Sequence, residues 1–301
     1  MSSDLAADTT VIADPSIAGR YHVTLSASWD FVNPSGGVVT TVALRAAAAH
    51  LNDPRLRFAS ATAIFCTPLH ATRLVADVTE LRRGRNTAQV RISLRHLDVA
   101  PDPEEDGDNG RGLEVTATFI REGRKGPDVR GSVMPTVRSV ADSLSTDDTV
   151  PHNPHKRFAF FQQLEARIAD GERFWAGPQL PGPSRFARWF RYRTPQRDAE
   201  GRFDRFAIPP IIDTMPTALH RAIGDGYRFY SPSLDLTTYV IDDTKSEWLL
   251  VASTVRRARE GWAIGDCEVW DEDGRLIATG SQAMYIQGLH GEPPTLDASR
   301  A

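Results

Sequence analysis

The sequence predicts an α+β fold made of two similar units, and three observations support this prediction. The second half repeats the first, because LVADVTELRRGRNTAQVRISL at 74–94 is matched by LVASTVRRAREGWAIGDCEV at 250–269, an offset of about 174 residues. A repeat of this length is domain-sized and far exceeds the roughly 20–50 residues of solenoid repeats. The chain length of 301 residues also exceeds the size at which one hydrophobic core keeps growing, so two cores are expected.

The first unit reads as a strand, a helix and then four strands. YHVTLSASWDF alternates apolar and polar residues, which predicts a half-buried strand with one apolar face made of Val23, Leu25, Ala27 and Trp29. NPSGG breaks this strand, and the alanine-rich run VVTTVALRAAAAHL predicts a helix over Val38–Leu51. The strands FASATAIF, TRLVADVTEL, AQVRISLRHL and LEVTATFI follow, with a solvated acidic loop at 99–112 between the last two.

The second unit repeats that order after a stretch without sustained periodicity. The run FFQQLEARIAD predicts a strand by its alternation, with a helix left open because the run is short, and RFARWFRYR predicts another strand. IIDTMPTALHRAI predicts a helix over Thr214–Ile223, followed by the strands SLDLTTYVI, EWLLVASTV, WAIGDCEVW and RLIATGSQAMYI. We therefore divide the chain into a first unit at 20–122, a linker at 123–156 and a second unit at 157–288.

One helix and one long antiparallel sheet can bury each other only if the sheet curls around the helix, which is the hotdog arrangement. Two such units in one chain predict a double hotdog. The last strand of each unit is long and apolar, and exposed edges of that kind are normally paired or covered. We therefore expect the two units to share a continuous sheet at these edges, and the double unit to pair with a second copy into a homo-oligomer, a dimer of double hotdogs.

Composition narrows the possible partners. The formal net charge is −4, which argues against nonspecific nucleic-acid binding but not against a small phosphorylated ligand held by arginines. No apolar run approaches the ~18–20 residues of a membrane span, and the N-terminus lacks the features of a signal peptide. Cys66 and Cys267 lie in apolar stretches, which is typical of reduced core thiols in a cytoplasmic protein. No metal-ligand spacing occurs, so neither a metal nor another cofactor is expected.

The order and spacing of several stretches resemble the double-hotdog acyl-CoA thioesterases of the bacterial type II family. The stretches in the first unit are WDFVNPSGGVVTTVALRAA, FCTPLHATRLVADVTELRRGR and EVTATF, and those in the second are WFRYR, IIDTMPTAL, SLDLTTYVI and RLIATGSQ. The resemblance implies hydrolysis of fatty or other apolar acyl-CoA by a water held in the second unit. The family's carboxylate falls on Asp213, its hydroxyl residue on Ser233 and its glutamine on Gln282. Serine departs from the threonine of the well-known bacterial member and lacks the methyl group that restricts its rotamer.

The residues alone leave other roles open for these three side chains. Asp213 begins the sequence Asp-Thr-Met-Pro, a good helix start, so it is as well explained as the N-cap, although Thr214 can also cap. An isolated strand serine such as Ser233 is usually structural. Gln282 shares an otherwise apolar face with Ala278, Gly280 and Met284, so it is either a cross-strand bridge or the holder of a water. The first unit has Val38 where the second has Asp213, which points to chemistry in one unit only.

Candidate substrate-binding residues come from both units. Gly36 and Gly37 open the first helix, and they suit either a tight turn or the approach of a pantetheine arm to backbone amides. Phe65 and Tyr239, like Trp29 and Trp189, are expected to pack in the core or to line an acyl tunnel. The arginine-rich turns at 82–85 and 256–259 are either solvated hairpin tips or binding sites for the phosphates of coenzyme A.

Two other functions compete with thioester hydrolysis. One is a catalytically silent acyl-CoA-binding protein of the same fold. The other is a hotdog hydratase or dehydratase, which needs a His/Asp pair. His220 lies seven residues after Asp213, about 10 Å along a helix, which is too far for both side chains to reach one carbon.

Overall fold

The computed structural model of the chain describes residues 2–98, 110–150 and 153–291. Its main feature is a 13-stranded sheet in which every paired neighbour is antiparallel. A few helices pack on the sheet, so the predicted α+β class and the double-hotdog architecture are confirmed.

The first unit follows the predicted order, preceded by a short N-terminal helix and strand. Its elements are α1 (Leu5–Asp8), β1 (Ile12–Ala13), β2 (Arg20–Thr24), a 3-10 helix (Ala27–Trp29), α2 (Gly36–Leu51), β3 (Leu56–Phe65), β4 (Arg73–Arg83), β5 (Thr87–His96) and β6 (Leu113–Arg121).

The second unit has the same long elements with additional short ones. They are β7 (Leu144–Ser145), α3 (Pro154–Arg157), α4 (Ala159–Gln162), β8 (Leu164–Asp170), β9 (Arg185–Tyr192), a 3-10 helix (Arg205–Ala207), α5 (Ile208–Ile212), α6 (Pro216–Ile223), β10 (Arg228–Tyr230), β11 (Asp235–Val240), β12 (Leu249–Arg259), β13 (Trp262–Asp271), β14 (Leu276–Tyr285) and β15 (Gln287–His290). β10 and β15 form a separate two-stranded sheet.

The strand order shows the duplication directly. The first unit runs β2-β4-β5-β6-β3, and the second continues as β11-β14-β13-β12-β9, so corresponding strands stand in mirrored order. The units meet where β3 pairs with β11, and Thr62 lies opposite Thr237, 175 residues further along the chain. The predicted continuous sheet is confirmed. The prediction that the units join through the last long strand of each is wrong. Those strands, β6 and β14, are each paired on both sides with strands of their own unit.

The helix α2 lies in the core because its sequence is apolar around most of its circumference. Its buried residues include Val38, Val42, Ala43 and Ala46, and the sheet of its own unit packs around them. The N-terminal turn of α2 also packs against α5 of the second unit. A Cβ atom on Gly37 would lie 2.4 Å from the carbonyl oxygen of Pro209, so the two helices can approach this closely only with glycine there.

Three predicted elements differ from those observed. The strand predicted over 21–31 ends at Thr24, because Ser26 caps a 3-10 helix that still buries Trp29. FFQQLEARIAD divides into the helix α4 and the strand β8, so each interpretation holds for one half of the run. The helix predicted from Thr214 begins two residues later, at Pro216. It is separate from α5, because Pro216 has no N–H with which to continue the hydrogen bonding of that helix.

The stretch at 123–156 packs against the second unit along part of its length. β7 pairs with β8, and Met134, Val137 and Val140 pack against a buried cluster that contains Trp189, Leu250 and Trp270. Trp29 and Trp189 are therefore core residues, as expected.

The two cysteines occupy different environments. Burial raises the pKa of the Cys267 thiol, as expected for a core residue, whereas Cys66 is exposed, so its prediction as a core thiol is wrong. Within the described ranges, no helix combines the length and the apolar character needed to cross a membrane.

Candidate active site

Asp213 lies at the C-terminal cap of α5 and receives four hydrogen bonds although it is only 8% exposed. Its Oδ1 accepts from Ser233 Oγ at 3.1 Å and from Gln282 Nε2 at 2.8 Å. Its Oδ2 accepts from Ser35 Oγ at 2.9 Å and from the N–H of Gly37 at 3.0 Å. The three side chains suggested by the family resemblance therefore meet, and the first unit supplies the two remaining donors.

Two adjacent strands position Gln282 and Ser233. Gln282 faces inward from β14 with Ala278, Gly280 and Met284, the apolar face that the alternation predicts. Ser233 lies two residues before β11 and forms an isolated bridge with Met284, so that its hydroxyl accepts a hydrogen bond from Gln282 Nε2. The amide oxygen Oε1 of Gln282 is buried and has no hydrogen-bond partner among the described residues. Gln282 thus bridges strands and still has a free acceptor.

The N-cap interpretation of Asp213 is wrong for its own helix. The N-cap residue of α6 is Met215, and the hydroxyl of Thr214 donates to the carbonyl of Ile211 instead of capping. Asp213 serves the helix α2, whose N-cap residue Ser35 makes no cap bond of its own. A carboxylate at a helix N-terminus is favoured in its ionised form, so α2 stabilises a charge that belongs to the other unit.

Burial and hydrogen bonding act on Asp213 in opposite directions. Burial raises the pKa of the carboxyl above its usual 3.8, and the bonds from Gly37, Ser35, Ser233 and Gln282 only partly oppose this. A raised pKa makes the ionised carboxylate a stronger base than an exposed aspartate. The cluster therefore combines a carboxylate of increased basicity with four donors that hold it in place.

Three of the four predicted substrate-binding residues lie at the cluster. A Cβ on Gly36 would lie 2.6 Å from Phe65 Cζ and 3.3 Å from Asp213 Oδ2, so the ring of Phe65 covers this glycine beside the carboxylate. Gly37 takes part through its N–H. Tyr239 does not, since it points away from the buried face formed by Leu236, Thr238 and Val240 and is 51% exposed. The prediction that Tyr239 packs in the core is wrong.

Sequence analysis missed two residues at the cluster. Ser35 is buried, and its position before a helix in Pro-Ser-Gly-Gly is a typical N-cap signal that points to a hydrogen-bonding role. Tyr230 is about half exposed, and burial together with the negative charge of Asp213 raises the pKa of its phenol. No local pattern in Gly-Tyr-Arg-Phe-Tyr marks Tyr230, because its place at the cluster depends on the fold.

His220 has a different environment. Its ring stacks on Phe229 with centroids 4.3 Å apart, and it is not among the four hydrogen-bond partners of Asp213. In the part of the chain that the structure describes, no group of three or more His, Cys, Asp or Glu residues is arranged to hold a metal ion. The hydrogen-bonding groups of the cluster are the Asp213 carboxylate, the hydroxyls of Ser35 and Ser233, and the amides of Gly37 and Gln282.

Solved structures similar to the whole chain share this architecture. A hotdog-fold protein from Alicyclobacillus acidocaldarius matches with a TM-score of 0.76 and 20% identity over 96% of this chain and 100% of that chain. An acyl-CoA thioesterase II from Mycobacterium marinum matches with a TM-score of 0.68 and 19% identity, over 96% and 100%. A tesB protein from Mycobacterium avium subs paratuberculosis matches with 0.67 and 16%, over 94% and 97%. At these identities the likeness shows the fold alone.

Family models give the more specific result. No curated protein matches the chain in sequence. The model of the acyl-CoA thioesterase N-terminal domain matches residues 25–121, and that of the acyl-CoA thioesterase C-terminal domain matches residues 141–286. Because both domain models match in order and together span most of its length, the chain belongs to the acyl-CoA thioesterase family.

Proposed function

We propose that the protein hydrolyses acyl-CoA thioesters to a free acid and coenzyme A, with Asp213 as the general base. The observation that carries the proposal is the meeting of Asp213, Ser233 and Gln282 within hydrogen-bond distance at one buried carboxylate oxygen. A thioester carbonyl is activated, so a positioned water, a base and some stabilisation of the oxyanion suffice. The ring of Phe65 and the half-exposed Leu234 border the cluster, which suits an apolar acyl group.

In this mechanism a water lies between Asp213 and Gln282. The water donates one hydrogen to Asp213 Oδ1 and the other to Gln282 Oε1, the acceptor without a partner. As its oxygen attacks the thioester carbonyl, the first proton moves to Asp213. The tetrahedral intermediate then breaks its C–S bond, and the departing thiolate takes that proton, which leaves a carboxylic acid, coenzyme A and ionised Asp213.

Ser233 has a distinct role because the carboxylate is already saturated with donors. An ionised carboxyl group offers about four lone-pair sites, and all four are in use. The backbone N–H of Gly37 is fixed and Ser35 is buried, whereas Ser233 is partly exposed and its hydroxyl can rotate. Ser233 is therefore the donor that the water replaces, after which its hydroxyl can orient that water.

The same saturation is the specific observation that favours a second candidate function. A buried carboxylate that accepts four hydrogen bonds, two of them from the start of α2, can have a purely structural role. In this case Asp213 joins the two units, and the protein binds acyl-CoA without hydrolysing it.

Thiol release from acyl-CoA of short, medium and long chains separates the two candidates. If Asp213 is the base, Asp213→Asn lowers the rate by about 10²–10⁴, the usual contribution of a positioned general base. The matched control is Asp271→Asn, which changes another buried aspartate that accepts from Thr244 Oγ1, outside the cluster. Equal rates for wild type and Asp213→Asn would make Asp213 structural. Binding of acyl-CoA without thiol release by wild type at every chain length would establish the silent binder.

A further inference from the structure

We propose that the tip of the β12–β13 hairpin, with Arg257, Arg259 and Trp262, binds the nucleotide end of coenzyme A. This subsite rests on the proposed function, because it assigns a place to one half of the same substrate. The three residues, together with Glu260, line an open surface depression of about 330 Å³. Coenzyme A ends in an adenine and three phosphate groups, so a subsite for it needs an aromatic face and guanidinium groups.

The hairpin tip lies close to the candidate active site along the sheet. Ser233 bridges Met284 on β14, and the next residue, Tyr285, lies opposite Trp262 on β13. Tyr285 also donates its N–H to the carbonyl of Pro232, the residue before Ser233. Trp262 is thus about two strand spacings of ~4.8 Å from Ser233 along the sheet. The side chains of Tyr285 and Trp262 lie on the face of the sheet opposite to Gln282 and Met284, so an extended pantetheine arm has to pass the end of the sheet at the hairpin tip to reach them.

Aromatic side chains beside the cluster and at the hairpin tip are open to solvent. Tyr230, Tyr285 and Trp262 are each exposed by 46–48%. Tyr285 and Trp262 stand opposite each other on adjacent strands, and a flat adenine can stack on an exposed indole. The hairpin tip therefore offers an aromatic surface of suitable chemistry for the nucleotide.

The arginines at this tip have charge available for a ligand. Arg257 is exposed, and within residues 2–98, 110–150 and 153–291 no carboxylate lies within ion-pair distance of it. Arg259 pairs with Glu260, but both side chains are about 70% exposed, so the pair is weak and its guanidinium can turn to a phosphate. Guanidinium groups bind phosphates by charge-assisted and frequently bidentate hydrogen bonds.

The corresponding hairpin of the first unit lacks these features, which makes it a natural control. Its tip also carries arginines, but Thr87 and Ile120 stand opposite each other where the second unit has Trp262 and Tyr285. One of its arginines, Arg83, is held by Glu80 and by the carbonyl of Leu51. The aromatic pair is therefore found in the unit that also has the Asp213 cluster.

The test compares two thioesters of the same acid, one of coenzyme A and one of N-acetylcysteamine, which lacks the nucleotide. The double variant Arg257→Glu and Arg259→Glu should raise KM for acyl-CoA by about fivefold or more, since phosphate contacts of charged groups are lost and repulsion replaces them. KM for the N-acetylcysteamine thioester should not change. The control double variant, Arg82→Glu and Arg85→Glu at the first tip, should leave both KM values unchanged. Trp262→Ala should weaken acyl-CoA in the same selective way.

Other results overturn the subsite. Unchanged KM for acyl-CoA in the Arg257/Arg259 variant would exclude it, and an equal rise in both charge-reversal variants would show only a general effect of net charge. If wild type hydrolyses neither thioester, the proposed function fails, and calorimetry with coenzyme A tests the subsite alone. A Kd raised in the Arg257/Arg259 variant relative to the Arg82/Arg85 control then supports it, and equal Kd values refute it.

Discussion

The two units differ most at the place where they correspond most closely. In the second unit, Thr237 pairs with Ser281 and Ser233 with Met284, and in the first unit Thr62 pairs with Thr116 and Phe58 with Phe119. These registers make Ala117 the counterpart of Gln282 and Phe58 the counterpart of Ser233. Val38 is the counterpart of Asp213 at the offset of 175 residues. The polar cluster Asp213–Ser233–Gln282 thus corresponds to an apolar cluster, Val38–Phe58–Ala117, whose members are at most 4% exposed.

The donors that surround the polar cluster are also present only once. Ser35 and the N–H of Gly37 reach Asp213 from the first unit, and the residues 175 positions later are Pro210 and Ile212. Pro210 has neither a hydroxyl nor an N–H to offer. The comparison indicates that duplication made two equivalent places, of which one holds a carboxylate with donors and the other became core.

The largest expected effect comes from placing the charge in the apolar cluster. Val38→Asp puts a carboxylate at a fully buried position in the apolar core, and an uncompensated buried charge costs about 3–5 kcal/mol of unfolding free energy. Chemical denaturation measures this cost, and Val38→Asn, of the same shape without charge, separates charge from polarity. Val38→Asp combined with Asp213→Asn should release no thiol, because Phe58 and Ala117 cannot hold a water. Restored activity in that double variant would show that the units are closer in function than their clusters suggest.

The reverse change makes the active cluster resemble the silent one. Gln282→Leu replaces the amide by an apolar side chain, as the first unit has at Ala117, and we expect kcat to fall by about 10–10² while KM changes little, because a water-orienting group acts on the chemical step. Steady-state thiol release gives both constants. Gln196→Leu is a suitable control, since Gln196 is equally buried but bonds to N-terminal residues instead of Asp213. A loss confined to KM would assign Gln282 to substrate binding.

The sequence predicted the fold better than it predicted the surroundings of the site. The repeat, the alternation of β14 and the helix α2 are local patterns, and they were sufficient for the double hotdog and for the inward direction of Gln282. The apolar content of the strands could not predict that the units join through β3 and β11. The strands β6 and β14 are also apolar, and they lie inside their own units. Asp213 does accept a hydrogen bond from the N-terminal turn of a helix, as its N-cap pattern predicted. That helix is α2, since the donor Gly37 lies 176 residues earlier in the chain, and only the packing of α2 on α5 brings the two residues together.

The charge on Asp213 should make stability depend on pH in a defined direction. Burial raises the carboxyl pKa in the folded protein above the unfolded value near 3.8, so the folded state holds that proton more tightly. Ionised Asp213 therefore costs stability at neutral pH, and the cost disappears as the pH falls through the raised pKa toward 3.8. In Asp213→Asn, Gln282 can turn its amide so that its oxygen accepts from the new Nδ2, and the Ser233 hydroxyl changes from donor to acceptor toward that nitrogen. The bonds from Ser35 and Gly37 to the remaining oxygen stay as they are.

We therefore expect Asp213→Asn to have a Tm equal to or above that of wild type at neutral pH, with the difference shrinking as the pH is lowered. Thermal unfolding of both proteins across the acid range checks this, with Asp271→Asn as the control for loss of another buried aspartate. A variant that is much less stable than wild type at neutral pH would show that the ionised carboxylate is a net stabiliser of the junction between the units. In that case its hydrogen bonds to α2 outweigh its burial.

Ser233 should give the smallest effect, and its size distinguishes orientation from direct chemistry. Its hydroxyl is one of four donors to Asp213 and the most accessible, so in Ser233→Ala a solvent water can take its place at Oδ1. We expect kcat to fall by no more than about tenfold, within the range of a single net hydrogen bond of about 0.5–1.5 kcal/mol. Ser233→Thr restores the hydroxyl and adds a methyl group that narrows the rotamers, so its kcat should equal or exceed that of wild type. If Ser233→Ala instead loses as much activity as Asp213→Asn, then Ser233 takes part in the chemistry itself, and the water would no longer be the nucleophile that the cluster positions.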